Sequence, residues 1–247
     1  MVDTHPPAVS GGTPTITDAA EVSAPGWLEF DPLVLKDIDF DHNSGTPFSF
    51  KYTTYNNRLQ YLLASDGVVW LGNTTGVGDT YPGIHYRFLD EQKSGFDVAA
   101  KAILKVPTAS EAVGGTGKFD YSGYLLASRD FTKWGFHGDF NAGLSELSRV
   151  GQSYVQQVLL SGSTTSPIQG GRWQYTNELV YFSGTPGNPY RLTGMNGFSY
   201  AVHRYETYSV GLQNAFHGDI AHWQLLFTGS FNIDVGGHPK ASAAPGD

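Results

Sequence analysis

Apolar and polar residues alternate with a period of two along much of this 247-residue chain, most clearly between Gly76 and Leu147. Four segments follow one another there: GVGDTYPGIHYRFL, GFDVAAKAILKVPT, FDYSGYLLASRDF and WGFHGDFNAGLSEL. In the second, Phe96, Val98, Ala100, Ala102, Leu104 and Val106 share one face, and Asp97, Ala99, Lys101, Ile103 and Lys105 share the other. In the fourth, Trp134, Phe136, Gly138, Phe140, Ala142 and Leu144 stand against Gly135, His137, Asp139, Asn141, Gly143 and Ser145. A two-residue period belongs to strands, because successive Cβ atoms of an extended chain point to opposite faces.

The lengths of these runs sharpen the reading. Strands of soluble domains usually hold about 5 or 6 residues, whereas a tilted membrane-crossing strand needs about 9 to 11. Lipid offers the backbone no hydrogen-bond partner, so a spanning sheet must close on itself with its apolar face outward and its polar face toward the lumen. The pattern therefore predicts an all-β fold, an antiparallel transmembrane β-barrel of about twelve strands in an up-and-down meander. The remaining predicted strands are Trp27 to Phe40, Phe48 to Tyr55, a run through Leu59, Tyr61 and Leu63, Tyr154 to Ser163, Arg172 to Ser183, Leu192 to His203, Tyr208 to Phe216, and His222 to Asp234. Three parts follow: a flexible leader over 1–25, rich in Pro, Ser, Thr, Ala and Gly, a barrel over 26–235, and a flexible tail over 236–247.

Connections alternate in length, as short turns at one barrel end and longer loops at the other require. Asn56-Asn57, Asp90 to Ser94, Thr132-Lys133 and His203 to Glu206 are short, while Ser65 to Thr75, Ala109 to Lys118 and Gly184 to Tyr190 are long. Thr164 to Gly171 is long where a short turn is wanted. Aromatics gather at strand ends, at Tyr86, Phe88, Phe96, Phe119, Tyr121, Trp134, Trp173, Tyr175 and Trp223, where interfacial girdles would lie. The competing reading places the same rings in the core of a soluble sandwich.

Composition narrows the possibilities less than pattern does. A mean hydropathy of -0.26 looks soluble, yet alternation of lipid-facing and water-facing residues produces the same average. A net charge of -8 without a basic cluster argues against a nucleic-acid partner. Zero cysteines exclude disulfides, thiolate chemistry and cysteine-ligated metals. MVDTHPPAVSGG lacks the basic and apolar regions of a secretory signal, so an outer-membrane protein would begin here at a processed or misplaced start.

If the faces are assigned correctly, His85, Arg87, Asp97, Lys101, Lys105, Asp120, Asp130, His137, Asp139, Glu178 and His222 point into the lumen. Opposed charges there could select solutes, or simply pair and fill a narrow barrel. The sequence also resembles the outer-membrane transporter family named for a phenol meta-cleavage degradation pathway. That resemblance rests on Gly76-Val77-Gly78-Asp79 leading into Gly83-Ile84-His85-Tyr86-Arg87-Phe88, on Lys105-Val106-Pro107-Thr108 and on the strand from Trp134 to Leu144. It implies a bacterial outer-membrane barrel that passes small, including aromatic, solutes. No catalytic residue, metal or cofactor is expected. The expected partners are outer-membrane lipid, a small solute and, during biogenesis, the barrel assembly machinery, with the chain acting as a monomer.

Other chemistry is thinner. His42-Asn43-Ser44-Gly45 resembles the His-x-Ser core of outer-membrane phospholipases, but Gly45 stands where an Asn is needed. His217 and His222, with Asp219 between, could hold a cation in a loop, although a solvated loop explains them equally. Gly76-Val77-Gly78 opens no helix and so cannot cradle a phosphate. A soluble lipocalin-like or sandwich carrier remains the alternative, because periodicity alone does not tell inside from outside. The final strand is followed by a Gly, Pro and Ala tail, which leaves Phe231 and Ile233 as an internal assembly signal.

Overall fold

The computed structural model describes residues 15–38, 43–54, 56–149, 153–168, 171–203, 205–218 and 223–236. Fifteen strands join in one antiparallel sheet: β1 (Trp27–Asp37), β2 (Ser44–Gly45), β3 (Phe48–Thr53), β4 (Leu59–Ser65), β5 (Val68–Leu71), β6 (Thr74–Val77), β7 (Thr80–Leu89), β8 (Asp97–Lys105), β9 (Asp120–Phe131), β10 (Phe136–Leu147), β11 (Val155–Pro167), β12 (Trp173–Phe182), β13 (Arg191–His203), β14 (Glu206–His217) and β15 (Trp223–Asp234). Twelve form the ring, in the order β1, β3, β4 and then β7 through β15, each paired with its neighbour. β15 pairs back onto β1, from Trp27↔Asp234 to Asp37↔Gln224, and closes the barrel. β2, β5 and β6 continue the sheet beyond β1 at the end away from Trp27.

Two differences from the sequence reading concern boundaries. The strand expected to start at Gly76 divides at Gly78-Asp79: Gly76 and Val77 belong to β6, and the ring strand begins at Thr80. Here Gly78 lies against the Asp66 side chain so closely that a Cβ would overlap it. The Asp66 carboxylate accepts from the Asp79 N–H (3.1 Å) and the Tyr81 hydroxyl (2.8 Å), fixing the corner. β11 runs to Pro167, past the expected end at Ser163, so its connection to β12 is short, as the turn end of the barrel requires.

The short connections have local causes. Asn57 adopts a left-handed conformation (φ 53°), and the Asn56 Oδ1 accepts from Arg58 N (3.0 Å) and Leu59 N (3.3 Å). Between β7 and β8 stands one helical turn, α1 (Glu91–Ser94), capped by the Asp90 side chain and by Gly95 at φ 82°. Gly135 (φ 70°) closes the β9–β10 turn, its N–H donating to Phe131 O at 2.9 Å.

Burial is inverted relative to a water-soluble barrel. On the outer face, Leu125 is 62% exposed and Phe140 52%, whereas the inward Asn141, Ser199, Ser209 and Ser230 are almost fully buried. Rings cluster at strand ends on the outside: Trp173 on Tyr200 (4.7 Å between centroids), Tyr175 on Phe198 (5.0 Å), and Phe131 between Phe136 (4.7 Å) and Trp134 (5.7 Å).

Candidate functional site

The polar faces of the ring strands converge on one interior, and the alternation that places them there is the one visible in the sequence. At the end that holds Trp27 and Asp234, Arg87 reaches Asp97 (3.3 Å) and Asp90 (3.6 Å). His137 lies between Asp130 (2.7 Å) and Asp139 (3.0 Å), and Asp139 also accepts from the hydroxyls of Ser128 (2.6 Å) and Ser163 (3.1 Å). Asp130 itself sits at the rim, its side chain 62% exposed.

At the opposite end, Lys105 pairs with Asp120 (2.7 Å) and Asp79 (3.6 Å) and donates to Thr116 (3.0 Å) and Ser148 (3.2 Å). Asp120 also accepts from Ser148 N (2.7 Å) and Asp79 from Ala109 N (2.8 Å), so this one ammonium organises three loop segments. Between the ends, Lys51 bridges Glu29 (2.9 Å) and Asp31 (2.8 Å).

The centre is occupied by the chain itself. Residues 15–26 form an irregular strap that enters from the Trp27 end and bonds to seven of the ring strands. Thr17 N donates to Glu178 Oε1 (2.5 Å), and Asp18 N donates to Asn141 Oδ1 (2.8 Å) while Asn141 Nδ2 returns a bond to Asp18 O (2.7 Å). Ala20 N donates to Ser128 Oγ (2.7 Å), and His85 Nε2 lies 3.2 Å from Ala20 O. Lys101 pairs with Asp18, Glu21 approaches His137 (3.7 Å), and Ser23 bonds Glu29 and accepts from Gln60 Nε2 (3.1 Å). A segment that touches β1, β4, β7, β8, β9, β10 and β12 together can only lie inside the ring. This departs from the flexible leader expected over 1–25, of which residues 1–14 lie outside the described residues.

Ala20 is fully buried among Ala99, Leu126 and Tyr124, a small apolar seat in a polar interior. Tyr124 has room because it faces Gly143, where a Cβ would overlap its ring, and Lys101 Nζ stands 5.4 Å from the same ring centroid.

Ten of the eleven residues proposed from sequence thus have their positions: Arg87, Asp97, Asp130, His137 and Asp139 near the Trp27 end, His85, Lys101 and Glu178 on the strap, and Lys105 and Asp120 near the loop end. His222 lies outside the described residues, as do His42, Asp219 and the 237–247 part of the expected tail. Ser44 and Gly45 form β2, paired with Lys36 and Leu35, rather than a free loop. His217 stacks on Tyr190 at 3.9 Å. Sequence reasoning left out Asn141, Ser128 and Lys51, although their alternation marked them as inward, and Asp18 and Glu21, whose segment has no periodicity to read.

No family model and no curated protein matches the chain. Its fold is that of solved outer-membrane barrels. The KdgM porin superimposes with a TM-score of 0.58 at 14% identity, over 83% of this chain and 99% of its own. The COG4313 outer membrane channel from Pseudomonas putida F1 does so with a TM-score of 0.64 at 12% identity, over 87% of this chain and 98% of its own.

Proposed function

We propose that the chain is a bacterial outer-membrane channel, a monomeric barrel for passive passage of small solutes. The observation that carries this is the inverted burial: a closed ring with exposed leucines and phenylalanines outside and bonded Ser, Thr, Asn and charged groups inside. An apolar belt of this kind is stable only against lipid. The fold shared with the KdgM porin and the COG4313 channel supports the same reading.

Inward carboxylates outnumber inward cations. Glu29, Asp31, Asp37, Asp97, Asp120, Asp130, Asp139 and Glu178 face the interior against Lys51, Arg87, Lys101, Lys105 and Arg191. The lumen therefore favours cations and neutral molecules over anions. Small aromatic compounds are the neutral class that the family resemblance implies, and neither catalysis nor a cofactor enters the mechanism. Lipid surrounds the belt, and Phe231 and Ile233 on the final strand are the segment offered to the assembly machinery.

Refolded protein in a planar bilayer tests the reading. We expect discrete conductance steps with a cation-selective reversal potential and no lipid hydrolysis. Lys101→Glu with Lys105→Glu should shift that potential further toward cations; an unchanged value would remove both residues from the conduction path. Faster swelling of loaded vesicles in phenol than in an equal concentration of a disaccharide would support the aromatic class. Failure to enter a bilayer at all would favour the soluble carrier.

A further inference from the structure

The strap is held in an unusual way for a segment that merely fills space. Five of its contacts go to main-chain groups: Thr17 N to Glu178, Asp18 N and O to the two ends of the Asn141 amide, Ala20 N to Ser128, and Ala20 O to His85 Nε2. One ion pair, Asp18 with Lys101, and one fitted apolar seat, Ala20 against Ala99, Leu126 and Tyr124, add side-chain selection. Main-chain bonds for affinity, with a pocket and a charge for specificity, are how protein grooves recognise peptides. The groups used come from β8, β9, β10 and β12, far from the strap in sequence.

We propose that this part of the lumen wall is a peptide-binding track, specific for a short acidic peptide, and that residues 17–23 are its tethered occupant and block the channel. The proposal rests on the channel reading above. Tethering gives the occupant a high effective concentration, so modest contacts hold the channel shut for most of the time, and release of the strap opens it. The freed track then accepts the same chemistry from solution: a carboxylate for Lys101, an amide plane for Asn141 and a methyl-sized side chain for the seat.

Charge reversal in the full chain tests this. Asp18→Lys sets a cation against Lys101 and should raise the ratio of open to closed time by about tenfold or more. Asp18→Lys combined with Lys101→Asp restores the ion pair and should return the channel to its quiet state, which separates strap release from general damage to the barrel. A synthetic peptide with the sequence of residues 15–23 should close the Asp18→Lys channel in a concentration-dependent way, whereas the same peptide with lysine at the Asp18 position should not. If wild type and Asp18→Lys conduct alike, the strap is no blocker and the proposal falls while the channel reading stands. If Asp18→Lys opens but the acidic peptide blocks no better than its lysine counterpart, the specific track falls. If every variant inserts, folds and stays silent, the channel reading falls and takes the proposal with it.

Discussion

Single side chains inside this barrel are held by partners rather than by exclusion from water. Lys51 shows the consequence. It neutralises Glu29 and Asp31, whose side chains are 6% and 14% exposed, and its removal leaves two carboxylates facing each other. Lys51→Met should lower the unfolding free energy by about 3 kcal/mol, and adding Glu29→Gln and Asp31→Asn should recover much of that, as measured by urea titration of lipid-reconstituted protein. Phe140 and His137 probe the two faces of one strand. Phe140→Arg places a cation in the apolar belt at a cost of about 2 to 4 kcal/mol, whereas His137→Arg places one among Asp130, Asp139 and Glu21 and should cost little. Equal costs in the same titration would mean that the faces are misassigned.

At the scale of the element, alternation made most strands legible and punctuation made their ends harder to read. β8 and β10 could be divided into faces from the sequence, and that division put Asp97, Lys101, Lys105, His137 and Asp139 on the polar side. The break at Gly78-Asp79 was not legible, because it depends on Asp66, which arrives from a different strand connection. The extension of β11 was missed because Thr164 to Pro167 reads as polar turn sequence, yet Thr165 pairs with His137 on one side and Thr176 on the other. The closure seam has its own device. Pro32 lacks an N–H for the ladder, and across the seam the Thr228 hydroxyl donates to Pro32 O (2.8 Å) while Ser230 donates to Asp31 (2.5 Å). Thr228→Val keeps the shape and removes the hydroxyl shared between Pro32 O and Gly229 O (3.1 Å). We expect a loss of about 1 kcal/mol and faster hydrogen exchange confined to β1 and β15, read by mass spectrometry.

For the molecule as a whole, the ring and its strand number could be read from strand length and turn spacing, but the content of the ring could not. A strand announces itself by period; the strap of residues 15–26 has none, and its Pro, Ser, Thr and Ala content predicts a segment unable to order itself. It is ordered by the wall. The polar atoms that fix it, from Glu178 to His85, are distributed over strands separated by more than ninety residues, and no local reading of the leader contains them. The same contacts give Lys101, Glu178, His137 and Glu29 partners from the chain itself: one crossing segment bonds to seven of the twelve ring strands.

The strap also constrains the order of events by which the molecule is made. β1 and β15, the first and last strands, form the seam, so the ring cannot close until the whole chain is present. Residues 15–26 precede β1 directly and end up encircled. Either the wall is built around them, with Lys101 and Asn141 in hand before β15 docks, or they slide in afterwards through the end at Trp27. In the first case the segment acts as an internal template for closure and its loss slows refolding. In the second it is a late arrival, and the barrel closes at the same rate without it.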